Sequence, residues 1–160
     1  MGMQATARGL DRRNAARVLA GIAIFVAALT AFADAAFKTA RIKVGPHPLH
    51  VEVAASDPQR MQGLMHRTAL GKEEGMLFIF DELAYHSMWM KNTLIPLSVA
   101  FVDAEGRILN ILDMEPQTLD SHMAAGPARY AIETNKGWFA AKKIKAGDKV
   151  TGLPGVSAGR

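Results

Sequence analysis

A chain of 160 residues, 49% hydrophobic, 21% charged and without cysteine, suits one packed domain that relies on its core. The absence of cysteine excludes thiol nucleophiles, disulfides, cysteine–zinc sites and iron–sulfur clusters. The formal net charge of +4 invites a polyanionic partner, but its placement along the chain argues otherwise.

The chain opens on Arg8, Arg12, Arg13 and Arg17, followed by an uncharged stretch from Val18 to Ala33 that is apolar through Leu29. Ala31-Phe32-Ala33 then places small residues at the two positions a signal peptidase reads. Residues 1–33 are therefore expected to be a cleavable signal peptide, and the mature protein to be periplasmic or extracellular. An uncleaved anchor wants about 20 apolar residues, and the 16 uncharged positions here fall short. Membrane contact is expected only through an uncleaved leader. Arg12-Arg13 hints at twin-arginine export, yet Asn14-Ala15-Ala16 replaces the apolar residues such a signal carries after its pair. The leader holds four Arg and only Asp11, so the rest has 15 Lys+Arg against 14 Asp+Glu. Nothing in that balance supports nucleic-acid binding. The run Lys142, Lys143, Lys145 and Lys149 reads as a solvated edge beside a turn.

Residues 34–39 read as a linker, 40–151 as a single β-rich domain, and 152–160, with Pro154, Gly155 and Gly159, as a flexible tail. Ala40, Ile42 and Val44 alternate with Arg41 and Lys43. After the turn signal Gly45-Pro46, Leu49, Val51 and Val53 alternate with His50 and Glu52. Both segments predict half-buried strands. Ser56 with Gln59 forms a capping-box pattern, Pro58 suits a first turn, and Met61, Leu64 and Met65 share one face of a short helix.

The unbroken apolar run from Met76 to Phe80 predicts a fully buried strand, and Met88-Trp89-Met90 begins another. Asp103 to Gly106 reads as a hairpin loop between strands at 99–102 and 107–112. Strands are also expected at Ala128–Glu133, ended by Asn135-Lys136-Gly137, and at Lys149–Thr151. The fold class that follows is mainly β, a small barrel or sandwich of short strands with one short helix.

Three stretches are distinctive. They are Gly63-Leu64-Met65-His66-Arg67, Gly75-Met76-Leu77-Phe78-Ile79-Phe80, and Trp89-Met90-Lys91-Asn92-Thr93-Leu94-Ile95-Pro96-Leu97. With Glu133, Gly137 and Gly147-Asp148, they closely resemble the bacterial and archaeal family called domain of unknown function 192, over roughly Ile42 to Val150. The resemblance implies a compact β-rich domain, often exported, and no activity to carry over. Ser98 stands where that family usually has an aspartate, so any ionic role of that carboxylate is lost here.

Catalytic signatures such as Gly-x-Ser-x-Gly, His-Glu-x-x-His or a phosphate loop are absent. The first expectation is thus a non-enzymatic module that binds a small ligand or an envelope protein, without a cofactor. Its candidate pocket joins Arg67, Trp89, Asn92 and Glu133. Arg67 can pair bidentately with a carboxylate, and Glu133, set in the apolar strand Tyr130-Ala131-Ile132-Glu133, is its expected partner. One alternative is an envelope hydrolase using Glu133 or Asp148 as base, with His66 and His86 as further candidates for proton transfer. Another is copper(I) handling through Met88, Met90 and His86, because thioethers are soft ligands. Against it, Met88 and Met90 lie among apolar residues and read as core. His47-Pro48-Leu49-His50 has metal-site spacing but no third ligand, and reads as a turn.

Overall fold

A computed structural model describes residues 36–155, so the expected leader and its cleavage site lie outside the described residues. The first hairpin follows the alternation seen in the sequence. Strands β1 (Lys38–Val44) and β2 (His47–Ala54) pair antiparallel around Gly45-Pro46. Gly45 has φ 56°, the glycine-first pattern of a two-residue turn. β2 leads into helix α1 (Asp57–Gln62), whose Ser56 and Gln59 make both hydrogen bonds of the capping box. Gly63 ends it with φ 48°. The next strand, β3 (Glu74–Ala84), runs parallel to β2, so β2, α1 and β3 form a crossover unit.

The remaining elements are β4 (Ser87–Met88), β5 (Leu97–Val102), β6 (Ile108–Met114), β7 (His122–Met123), β8 (Ala128–Asn135), helix α2 (Trp138–Ala141) and β9 (Val150–Thr151). Seven strands make one sheet in the order β6-β5-β8-β3-β2-β1-β9, and β4 pairs with β7 separately. The sheet curls into a half-barrel. Its two edges meet at one point through the Arg107–Lys149 bridge, flanked by Ile108 N–H to Asp148 O at 2.9 Å and Val150 N–H to Gly106 O at 2.7 Å. The mainly-β class expected from the sequence is therefore correct.

Each face of the sheet carries its own core. On the concave face, Ile42, Val44 and Val150 from one edge meet Val102 and Ile108 from the other, with Trp138 and Phe139 of α2 packed among them. On the convex face, Met76, Phe78, Leu97, Val99, Phe101 and Ala131 lie under Leu64, Met90 and Ala124. Two covered faces explain why all six residues of β5 are buried. In β8, Tyr130 and Ile132 point to the concave core and Ala131 to the convex one. The two-residue period then sends Glu133 to the convex side.

Several boundaries differ from the sequence reading. β1 begins at Lys38, inside the expected linker, because Lys38 to Val44 all find partners on β2. The chain beyond Thr151 does not fray at once: Leu153 is buried in the concave core and Tyr130 Oη donates to Pro154 O at 3.0 Å. The expected strand at 88–90 stops at Met88, and Met90 N–H turns to Thr118 O at 3.1 Å. His47-Pro48-Leu49-His50 is strand β2 rather than a turn, with Pro48 opposite Lys43. α2 was not expected from the sequence.

Candidate functional site

A cleft of about 540 Å³ opens on the convex side between α1 and the end of β3, with Phe80, Asp81, His86 and Met88 along it. This falls within the size range of small-molecule sites, roughly 300–1,000 Å³. Arg60, Met61, Phe78, Met88 and Trp89 also line a narrow inner arm, which runs on past Leu64, Met65 and Thr93 to Glu133. The inner arm has room for about 20 Å³. Its lining mixes Met61, Leu64, Met65, Phe78, Met88 and Trp89 with the polar Arg60, Gln62 and Thr93, and Glu133 is its one acidic residue.

Glu133 is 4% exposed. No hydrogen bond or ion pair among the described residues reaches its side chain, and burial is the one cause acting on its titration. Desolvation disfavours the ionised form and pushes the carboxyl up from 4.5 to about 8. Every side-chain nitrogen or oxygen sealed from solvent among the described residues has a partner. Glu133 has none, so its carboxyl oxygens must still reach free space, and the inner arm is the space they line. The register explains its isolation. Glu133 sits opposite Met76 on β3 and Val99 on β5, both apolar and fully buried.

Arg60 frames the entrance and is fully committed there. Its guanidinium donates to Ala55 O at 2.5 Å, to Ile79 O at 2.8 Å, to Asp81 at 2.7 Å and to Asp57. Burial is the strongest single influence on the arginine and lowers its pKa, but the bonds to Asp57 and Asp81 together raise it, and they hold α1 against the end of β3. His86 lies flat on Phe80, with ring centroids 3.7 Å apart, and its Nε2 is 2.9 Å from Glu82 O.

The sequence-predicted pocket is half assembled. Trp89 and Glu133 line the same arm. Arg67 does not face Glu133: its Nη2 meets Glu52 Oε2 at 2.6 Å, with both side chains partly exposed. The reason is strand order, which puts β3 between Glu52 on β2 and Glu133 on β8. Glu52 pairs with Met76, and Met76 with Glu133, so the two carboxylates share a face two strands apart, about 10 Å. Asn92 lines none of the cavities described and acts through its backbone. Its φ is 54°, a conformation asparagine tolerates, and its carbonyl accepts from His66 N–H at 2.9 Å. That bond ties the Gly63–Arg67 loop to the Trp89–Leu97 segment above Glu133.

The copper set is not gathered either. Met90 is fully buried in the convex core, whereas Met88 and His86 line the outer cleft. Asp148 accepts Lys145 N–H at 2.8 Å in the turn beside the sheet's closure, away from Glu133. Ser98, on the concave side, donates to Asp113 at 2.5 Å and accepts Gly137 N–H at 2.8 Å. It serves the start of α2, and a carboxylate stands beside it on β6 even without the family's aspartate. Sequence reasoning missed Arg60, Phe78 and Thr93 at the cleft. The two-residue period of a strand could have pointed to Phe78, since Met76, Phe78 and Phe80 share the convex face of β3.

The family model DUF192, described as uncharacterized ACR, matches residues 39–152. No curated protein matches the chain. A crystal structure from Sinorhizobium meliloti 1021, described as a proposed transcription regulator, is 32% identical with a TM-score of 0.72, covering 74% of this chain and 97% of its own. A protein of unknown function from Novosphingobium aromaticivorans DSM 12444 is 34% identical with a TM-score of 0.69, over 74% of this chain and 88% of that one. The chain belongs to the DUF192 family.

Proposed function

We propose, with family membership as the premise, that this is a non-enzymatic binding domain of the cell envelope whose convex cleft takes a small organic ligand. One observation carries the reading: Glu133, a buried carboxyl group without a partner, lines a narrow arm that shares Arg60, Met61, Phe78, Met88 and Trp89 with the cleft. A buried unpaired acid works against folding, and a strongly perturbed group in a cleft is a candidate for a functional site. The family supplies no activity, so the site alone supports this assignment. Export is proposed from the leader: basic, then apolar, then Ala31-Phe32-Ala33. The regulator description of the Sinorhizobium protein is not carried over, since the residues after 33 hold nearly balanced charge.

Binding is tested by screening small amphiphiles while following the Trp89 indole resonance. A ligand should shift that signal in the wild type and lose affinity in a folded Glu133→Gln variant. Ligands that bind equally well to both proteins would overturn the assignment.

A second reading has one observation in its favour. An acid titrating near 8 is suited to proton transfer, so Glu133 could serve a hydrolase as its base. Turnover of ester or glycoside substrates that vanishes in Glu133→Gln would establish that reading over simple binding.

A further inference from the structure

We infer that the group seated on Glu133 is a primary ammonium at the end of an unbranched alkyl chain, supplied either by a free alkylamine or by a lysine side chain. The inference rests on the binding reading above and names its ligand class.

Size is the first argument. The inner arm has room for about 20 Å³, far less than the 540 Å³ of the cleft beside it, and favours a small head group. Carboxylate, phosphate and guanidinium heads have several non-hydrogen atoms and are bulkier than so small a space beside Glu133 favours. An ammonium has one.

Charge is the second. An anionic head would need a free cation, and the arginine that lines the arm, Arg60, already spends its guanidinium on four oxygens. The outer cleft adds Asp57 and Asp81, both paired with Arg60, and Glu82, so its carboxylates outnumber the one arginine. Positive groups are thus favoured on the way in and beside Glu133.

The walls are the third. Met61 and Met88, which line both the arm and the roomier outer cleft, are slender, adaptable side chains that suit a methylene stem in the cleft, and Trp89 lines both as well. Trp89 already takes one ammonium, with Lys91 Nζ 5.4 Å from its ring centroid.

Binding then has a proton balance. An ammonium pairs with ionised Glu133, and the acid's proton passes to solvent as the pair forms. The other titratable groups around the site are Arg60 on α1, His86, Asp57, Asp81 and Glu82 along the outer cleft, and Lys91 beyond Trp89. The pH dependence assigned to Glu133 is therefore the part that disappears in Glu133→Gln.

The test is calorimetry on the full-length protein with n-butylamine, n-butanol and butyrate, and with a short lysine peptide against its acetyl-lysine counterpart, at pH 6 and pH 8. Butylamine should bind at least about tenfold tighter at pH 8 than at pH 6, and Glu133→Gln should abolish that gain. A lysine peptide that outperforms butylamine and fails when acetylated would identify a protein source of the ammonium, and the reverse a free amine. Butanol binding as well as butylamine, or an affinity for butylamine that is flat in pH, would overturn the inference. If butanol or butyrate binds and butylamine does not, the ammonium assignment fails while the binding reading stands. If none of these probes, peptides included, moves the Trp89 resonance, both fail. A folded Trp89→Ala variant, which keeps Glu133, should weaken butylamine without removing the pH dependence.

Discussion

At the scale of single residues, Glu133 is expected to oppose folding at neutral pH. Below 4.5 its carboxyl is protonated in both folded and unfolded chains; between 4.5 and about 8 only the folded state holds the proton. Stability should therefore fall as pH rises through that window, by roughly 1.4 kcal/mol per unit, and level off above it. Glu133→Gln removes the burden, so at pH 8 the variant should be more stable than wild type by the loss accumulated across that window, on the order of 4–5 kcal/mol. Denaturant unfolding of both proteins from pH 4 to 9 measures this. The difference profile cancels groups such as Glu73, which the Lys142 hydrogen bond holds below its ordinary value. Met90, fully buried, should cost about 2–5 kcal/mol on truncation to alanine. Arg67 and Glu52 are partly exposed, and a double-mutant cycle should find coupling of only about 0–1 kcal/mol. Glu133 was legible in the sequence as a lone carboxylate in an apolar strand. That Arg67 would meet Glu52 instead was not, because strand order decides which carboxylate it reaches, and the parallel pairing of β2 with β3 is invisible in alternation.

At the scale of elements, the local signals carried furthest where short-range chemistry decides. The capping box at Ser56 and the turn at Gly45-Pro46 needed no tertiary information, and both formed as the sequence predicts. Ser56→Ala should cost about 0.5–2 kcal/mol, measured by chemical unfolding. It should also loosen the entrance, because α1 carries Arg60 and Met61. α2 escaped notice since four residues are too few for a periodic pattern, and it forms because Trp138 and Phe139 reach the concave core. Gly75 belongs with the site although it is distant in sequence. A Cβ there would overlap the backbone carbonyl of Glu133. Gly75→Ala is thus predicted to push β3 away from β8, lowering both stability and any binding that depends on Glu133. Chemical-shift changes centred on Glu133 in the variant would show that displacement, and a spectrum unchanged outside position 75 would contradict it.

At the scale of the whole molecule, the division of labour follows the curl of the sheet. The concave core and its closure at Arg107–Lys149 hold the barrel, while the convex core is roofed by loops that leave an opening. Composition and strand punctuation made the β class legible; the curl and the second core were not, since they depend on which strands become neighbours. Export is a separate matter, and mass spectrometry of protein recovered from the cell envelope should find an N-terminus at or near Asp34. Retention of residues 1–33 would mean anchoring instead. The central claim is that the cleft ends on an unpaired, uncharged acid. The most direct measurement is a site-resolved carbon-13 NMR titration of the Glu133 side-chain carboxyl in the ligand-free protein. A midpoint at about 8 is the predicted result, whereas a midpoint near the ordinary glutamate value of about 4.3 would contradict it.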